Sequence, residues 1–258
     1  MNTLKQKLQA NEAIHGTWLN SGSAINAEIV GQAGYDWVCV DMEHGIGTET
    51  NLISQLHALN GSNTVTIVRV EALVRQRVGR VLDMGAGGVL FPQIKALDEA
   101  RQAAAFMKYQ PEGQRGMAAM IRATGYGREF KAYYHEGGKD QALCVVQIET
   151  AESLEVVEEI AALDGVDVLF VGPNDLSLSL GVFQQFDHPT YLNALDRVGA
   201  AAQKAGKAAG VLVAKPEDYE KYYSRGFRMI ACSSDAVFVS QGAVNTLKAM
   251  GEVRERLG

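Results

Sequence analysis

Side chains that could do chemistry follow directly after short apolar runs in this sequence. His44 comes after one such run, within an acidic stretch, and Arg69 ends the next. Glu149 and Asp175 follow two later runs that are neighbours along the chain. A carboxylate pair, a guanidinium and an imidazole can together hold a cation, stabilise an anion and move a proton. The pattern therefore indicates an active site, provided that the fold brings these runs side by side.

The two carboxylates suit a hard divalent cation. Mg²⁺ prefers oxygen ligands and often takes only one or two carboxylates from a protein, with water and substrate in the other positions. A 2-keto acid offers a carboxylate and a keto oxygen for two of those positions. Gln147 and Glu149 have the same parity along their run and so face the same side. The alternative is that Glu149 caps the helix beginning near Ala151 and that Asp175 caps the turn after its own strand.

Arg69 and His44 each have a structural and a chemical interpretation. A guanidinium at the end of an apolar strand needs a partner. Either Arg69 forms a salt bridge with Glu149 or Asp41, or it faces a developing oxyanion. His44 is either a surface histidine in a glycine-containing turn or a general base with a pKa poised near neutral pH.

The elements that must carry these residues alternate along the chain. Eight β-rich runs are predicted as strands, at residues 16–19, 37–41, 65–70, 88–91, 142–148, 168–171, 209–213 and 228–232. Helices are predicted at 49–59, 96–108, 152–162, 191–205 and 216–224, and the long connection 109–135 is predicted as an irregular loop with a short helix. Eight such repeats in 258 residues predict an α/β fold, a single (β/α)8 barrel spanning residues 1–258. Active sites of this fold lie at the carboxyl ends of the strands, where the residues described above are placed.

Composition limits the classes of function. The net charge is −6, so no basic stripe for a nucleic acid is expected. No apolar run is long enough for a membrane span, and the first residues lack the apolar segment of a secretory signal, so a cytoplasmic protein is expected. Cys39, Cys144 and Cys232 have no CxxC spacing, which disfavours zinc and suits a reducing compartment.

Two further motifs suggest anion sites but have simpler explanations. The glycine-rich stretch 85–88 does not match GxGxxG and precedes a strand, which disfavours a dinucleotide site. Ser233, Ser234 and Asp235 follow the last strand and could bind an anion. We expect instead that Asp235 forms the N-cap of an apolar-patterned helix over 236–257.

Several motifs, taken together and in order, resemble a known family. They are DMEHG (41–45), the strand that ends at Arg69, LDMGA (82–86), GQRG (113–116), QIET (147–150) and GPNDLS (172–177). The chain is similar over nearly its whole length to the family of 2-dehydro-3-deoxyglucarate aldolase and 4-hydroxy-2-oxoheptanedioate aldolase. Many relatives have Ala-Pro or Ser-Pro where this chain has Gly45-Ile46-Gly47, so the resemblance does not define the acceptor aldehyde.

The resemblance implies a barrel of the phosphoenolpyruvate/pyruvate type and a class II, metal-dependent pyruvate aldolase. Glu149 and Asp175 match the family's metal ligands, with Mg²⁺ expected and Mn²⁺ or Co²⁺ as alternatives. Arg69 matches the arginine beside the keto oxygen. His44 matches the histidine of proton transfer, and Asp83 matches an aspartate paired with it.

The substrate pocket and the assembly are implied in the same way. Gln147, Gly172, Pro173 and Asn174 match positions that line the pyruvate pocket. The substrates would be pyruvate and an aldehyde, joined into or released from a 4-hydroxy-2-keto acid. The family is typically hexameric. Within one barrel Asp83 is expected at the opposite end from His44, so their pairing would need a neighbouring subunit.

Three alternatives stay open on the sequence. A Schiff-base aldolase would need a lysine at a strand end, for which Lys95 and Lys215 are the candidates. A lyase of CoA thioesters, of the citryl-CoA or malyl-CoA type, would need cations for a nucleotide, and Arg115, Arg122 and Arg128 are the nearest to a cluster. The third alternative is a non-catalytic barrel that acts as a binding module, for which four intact chemical side chains would have no use.

Overall fold

Eight parallel strands close into a barrel, with helices in the connections between them. The computed structural model describes residues 3–135 and 141–258. The strands are β1 Ile14–Leu19, β2 Trp37–Asp41, β3 Val65–Arg69, β4 Gly88–Phe91, β5 Leu143–Ile148, β6 Val168–Val171, β7 Ala208–Val213 and β8 Phe227–Ser234. Each strand pairs in parallel with the next, and β8 pairs with β1. The predicted (β/α)8 barrel is confirmed.

One helix precedes β1, and the others follow the strands around the barrel. They are α1 Thr3–Gln9, α2 Ala24–Gln32, α3 Glu49–Ala58, α4 Arg75–Asp83, α5 Leu97–Met107, α6 Phe130–His135, α7 Ala151–Glu155, α8 Val157–Ala161, α9 Pro173–Ser179, α10 Pro189–Lys204, α11 Tyr219–Tyr223 and α12 Asp235–Leu257. The predicted helix 152–162 is two helices, because the φ of −111° and ψ of 20° at Val156 depart from helical values. The predicted helix 216–224 starts with a 3-10 turn, Pro216–Asp218. The connection 109–135 contains a 3-10 turn, Arg122–Thr124, and α6, as predicted.

Apolar side chains from the strands fill both faces of the barrel wall. Inside the barrel, Trp18, Trp37 and Phe170 contact one another with ring centroids 5.5–6.1 Å apart. Leu4 of α1 belongs to this inner cluster. A second cluster packs the outer faces of the strands against the helices. A filled interior leaves only the ends of the barrel free to bind ligands.

Helix α12 is long but buries little of its surface within its own chain. Asp235, its first residue, is the only buried residue of this helix. Large apolar side chains further along are exposed, including Leu247 at 73% and Met250 at 65%. Among the described residues, no helix combines the length and the apolar character that crossing a membrane requires.

Candidate active site

A cavity of about 510 Å³ opens at the carboxyl ends of the strands, within the range of small-molecule sites. Seven of the predicted site residues line it: His44, Arg69, Gln147, Gly172, Pro173, Asn174 and Asp175. Glu149 adjoins this lining, because its Oε2 accepts a hydrogen bond from Nε2 of Gln147 at 2.8 Å. A larger cavity, of about 860 Å³, is lined by parts of α1, α2 and α3 and by none of the predicted site residues.

Arg69 is held by two carboxylates where β2 and β3 end. These strands are paired so that Asp41 lies opposite Arg69. Nε and Nη2 of Arg69 donate to the two oxygens of Asp41 at 2.9 and 2.7 Å, and Nη1 lies 3.1 Å from Oε2 of Glu43. Burial would raise the pKa of Asp41, but the hydrogen bonds and charge of Arg69 hold it below its ordinary value. The salt bridge with Asp41 is therefore present, and it fixes the plane of a guanidinium that lines the cavity.

Glu149 is a buried carboxylate with three donors. Its Oε1 accepts from the backbone N–H of Gln93 at 2.6 Å and from Nε2 of Gln93 at 3.0 Å, and Gln147 holds its Oε2. Burial raises the pKa of Glu149 to about 7, the hydrogen bond from the Gln93 backbone opposes this, and the charges of Asp175 and Glu43 add to it. Such a group is costly to ionise without a cation nearby.

Asp175 is carried by the first turn of α9, directly after β6. Pro173 begins this helix, where its fixed φ is suited and its missing N–H is no loss. Gly172, the N-cap, is needed because a Cβ there would lie 2.6 Å from Oε2 of Glu149. The absence of a side chain at Gly172 therefore lets the β6–α9 junction pass close to the Glu149 carboxylate.

The side chains present suit an oxygen-coordinated cation with few protein ligands. The charge of Asp175 contributes to the raised pKa of Glu149, so the two carboxylates lie near enough to share one cation. Oε1 of Gln147 is buried without a hydrogen-bond partner beside them, an arrangement that suits a ligand or a water in the cavity. In the described part of the chain, no group of three or more His, Cys, Asp or Glu side chains is placed to hold a metal. Two carboxylates are enough for a Mg²⁺ site, in which water and substrate take the other positions.

His44 lies at the rim of the cavity. Its side chain is 71% exposed and its Nε2 is 3.8 Å from Oε2 of Glu43. Its backbone N–H donates to Oδ1 of Asp41 at 3.2 Å, which ties the turn to the carboxylate that holds Arg69. The imidazole can therefore exchange protons with solvent and faces the same cavity as Arg69.

Asp83 is not brought to this cavity by its own chain. It ends α4, and its Oδ1 accepts from Nη2 of Arg115 at 2.7 Å. The Arg115 side chain is fully buried, with its guanidinium 4.6 Å from the ring centre of Tyr109. Within one chain, Asp83 thus anchors the connection that follows α5, and the structure does not bring it to His44.

The lysines proposed for Schiff-base chemistry are not in the cavity. Lys95 and Lys215 are exposed and absent from its lining. Lys221 does line it, but its Nζ is 2.6 Å from Oδ1 of Asp187. Burial would lower the pKa of Lys221, yet the bond and charge of Asp187 raise it, the opposite of what a Schiff-base lysine requires.

Two residues that contact the site carboxylates were not among the predicted site residues. Gln93 adopts a φ of 54° and gives two donors to Glu149. Asn20 donates to Asp41 from the end of β1. Both residues follow apolar runs, which was the sequence signal that could have identified them.

The prediction that Asp235 forms the N-cap of α12 is wrong. Ser234 is the N-cap and accepts from the N–H of Val237, and Asp235 is the first helical residue.

Comparison with known proteins identifies the family of this chain. Residues 15–241 match the family described as HpcH/HpaI aldolase/citrate lyase. The hydroxypyruvate/pyruvate aldolase of Paraburkholderia phytofirmans is 38% identical, with 98% of each chain covered. The 5-keto-4-deoxy-D-glucarate aldolase of Klebsiella pneumoniae is 36% identical over 91% of each chain. The crystal structure of a family member from Burkholderia cenocepacia superposes with a TM-score of 0.90 at 38% identity, covering 98% of this chain and 100% of that one. The chain belongs to the HpcH/HpaI aldolase/citrate lyase family.

Proposed function

We propose that this protein is a class II aldolase that joins pyruvate and an aldehyde into a 4-hydroxy-2-keto acid, or cleaves that acid, with a divalent cation as cofactor. Its enzyme class, a carbon–carbon lyase, is that of its relatives. The observation that carries the proposal is the convergence of Glu149, Asp175, Gln147 and Arg69 on one cavity. A binding module would not need a buried, hard-to-ionise carboxylate beside an oriented guanidinium.

Glu149 and Asp175 would hold the cation, with Mg²⁺ as the first candidate and Mn²⁺ or Co²⁺ as alternatives. When bound, such a cation supplies Lewis-acid stabilisation of the negative charge on an enolate oxygen. Arg69 adds to this stabilisation, because a guanidinium has five N–H donors and only three are directed at Asp41 and Glu43. Removing one such donor typically costs on the order of 10²–10³ in rate.

His44 moves the proton in the cleavage direction. It takes the proton of the C4 hydroxyl as the C3–C4 bond breaks, so the aldehyde leaves and the electron pair of that bond passes to the enolate. Protonation at C3 then yields pyruvate. The exposed position of His44 lets it return its proton to solvent between turnovers.

The test is pyruvate release from a panel of 4-hydroxy-2-keto acids, with and without a chelator. The assay in the synthetic direction includes hydroxypyruvate beside pyruvate, because a relative is named for both. Borohydride added with pyruvate should not inactivate the enzyme, and Lys215→Ala should keep most of its rate. A pyruvyl adduct detected by mass spectrometry would replace the metal mechanism with a covalent one.

A CoA-thioester lyase is less well supported. Arg115 is buried and paired with Asp83, and Arg122 and Arg128 donate to backbone carbonyls. Arg115 and Arg122 are thereby occupied within the chain, which leaves only the exposed Arg128 of these three to meet a nucleotide phosphate.

The assembly is proposed to be a homo-oligomer, with a hexamer as the first expectation. The exposed apolar side chains of α12 support this, since a helix with so little buried surface gains little stability from packing on its own chain.

The three cysteines are free, two of them buried, which supports a reducing compartment such as the cytoplasm.

A further inference from the structure

Asn20, the residue after β1, contacts three parts of the molecule at once. Its Nδ2 donates to Oδ2 of Asp41 at 2.8 Å. Its backbone oxygen accepts from the N–H of Ile46 at 2.9 Å. Its backbone N–H donates to Oδ1 of Asp235 at 2.8 Å. Asn20 also lines the cavity, so these links meet at the site itself.

The first link acts on the guanidinium of Arg69. Oδ2 of Asp41 accepts from both Asn20 and Arg69, while Oδ1 accepts from Nε of Arg69 and from the backbone of the following turn. Asp41 is fully buried, so it has no solvent contact to replace a lost donor. The amide of Asn20 therefore fixes the rotation of the carboxylate, and the bidentate pair passes that rotation on to Arg69.

The second link acts on the turn that carries His44. The Ile46 N–H is bound to the Asn20 carbonyl, two residues beyond the imidazole. Gly45 allows this close approach, because a Cβ there would lie 2.2 Å from the backbone oxygen of Asp41 and 3.1 Å from that of Asn20. The turn is thus held against the end of β1 as well as the end of β2.

The third link is an anchor. Asp235 is 1% exposed, and its carboxylate accepts from the backbone N–H of Asn20, Ser21 and Ala236, from the Ser21 hydroxyl and from Nδ2 of Asn26. A buried carboxylate with this many donors has one stable orientation. The backbone of Asn20 is consequently fixed relative to the start of α12.

We propose that Asn20 is a positioning residue that sets Arg69 and His44 relative to each other, with Asp235 as its anchor. The proposal rests on the proposed function, in which these two side chains act on opposite ends of one substrate. Asn20 does not donate to the reacting atoms; it acts through Asp41 and through the 44–46 turn. Loss of its side chain removes the bond to Asp41 and keeps both backbone contacts, so it should lower the rate of the step that needs Arg69 and leave pyruvate binding nearly unchanged.

The experiment compares Asn20→Ala with Asn26→Ala. Both asparagines are half-buried, and both lie in the hydrogen-bond network around Asp235, but only Asn20 contacts Asp41. NMR is used to measure how fast the C3 protons of pyruvate exchange in deuterated water. The rates give kcat and KM for enolate formation, the half-reaction that needs Arg69. We expect Asn20→Ala to lower kcat about 10- to 100-fold with KM within about threefold, and Asn26→Ala to stay within about twofold. Thermal unfolding of both variants checks that the fold is retained.

A double-mutant cycle with Arg69→Lys shows whether the effect passes through Arg69. If it does, Asn20→Ala should lower kcat less than about threefold in the Arg69→Lys background, because the orientation that Asn20 controls has already been lost. The proposal would be overturned if Asn20→Ala lowered kcat by the same factor in the Arg69→Lys background as in the wild-type protein. Equal losses of kcat in the Asn20 and Asn26 variants would also overturn it. If the exchange rate of Arg69→Lys is no higher than the non-enzymatic rate, the test is whether Asn20→Ala changes kcat without changing KM. A change mainly in KM would then overturn the proposal. Wild-type protein without exchange would instead refute the proposed function itself.

Discussion

At the scale of single residues, Glu149 and Asp175 are both proposed to hold the cation. Replacing each carboxylate by the amide of the same shape removes the charge and keeps the size of the side chain. Glu149→Gln and Asp175→Asn should each lower activity by at least about 10²–10³-fold and weaken Mg²⁺ binding measured by calorimetry. Glu152→Gln is the matched control, since Glu152 lies in the next helix and is exposed. Normal metal binding in either site variant would remove that residue from the ligand set.

The raised pKa of Glu149 predicts a pH-dependent stability in metal-free protein. A carboxyl group with a higher pKa in the folded than in the unfolded chain stabilises the fold below its unfolded value, near 4.5, and this contribution is lost as the pH rises through about 7. The Tm of wild-type protein minus that of Glu149→Gln should therefore fall by several degrees between pH 5 and 8, roughly 2 °C or more for each kcal/mol.

Addition of Mg²⁺ at pH 8 should restore the lost difference in Tm, because a bound cation favours the ionised carboxylate. A difference in Tm that does not vary with pH in the metal-free protein would mean that Glu149 ionises without difficulty in the folded state.

At the scale of elements, the junction between β6 and α9 determines how closely the two carboxylates approach. Gly172→Ala would place a methyl group 2.6 Å from Oε2 of Glu149 and 3.0 Å from Nε2 of Gln147. We expect a loss of about 10- to 100-fold in activity together with weaker Mg²⁺ binding. Gly79→Ala is the control, because a Cβ there meets nothing within 4 Å and alanine favours the helix α4. Unaltered Mg²⁺ binding in Gly172→Ala would show that the junction tolerates a side chain.

The strand ends of this fold could be predicted because polar residues interrupt apolar runs there. Polar residues after apolar runs identified His44, Arg69, Glu149 and Asp175 without any knowledge of how the strands pair. This worked because parallel strands in a closed barrel all end at one rim. It could not show that Gln93 donates to Glu149, because that bond depends on a left-handed backbone at one loop residue.

Contacts between distant segments were also beyond the sequence. Asn20 and Asp235 are 215 positions apart, and no local pattern links them. The same holds for Asp83 and Arg115, whose ion pair forms only when the long connection after α5 folds back on α4. The break at Val156 inside a predicted helix was not predicted either, because the residues on both sides are helical.

At the scale of the whole molecule, the central question is whether one chain completes its own site. Asp83 is held by Arg115 away from the cavity, whereas the family resemblance pairs it with the histidine at position 44. Both hold if Asp83 reaches a neighbouring subunit's site. Mixed His44→Ala and Asp83→Ala chains, dissociated and reassembled, should then recover activity in about a quarter of sites. Confirmed mixed oligomers without recovery would place Asp83 in a purely structural role.

The most direct test of the account is the exchange of pyruvate C3 protons with solvent deuterium, because it isolates enolate formation from the choice of aldehyde. Wild-type protein with Mg²⁺ should exchange these protons. Chelation should stop the exchange, and restored Mg²⁺ should return it. Arg69→Ala should lose exchange and aldol cleavage together. Exchange that continues at the wild-type rate after exhaustive chelation would contradict the central claim that Glu149 and Asp175 serve a cation-dependent enolisation of pyruvate.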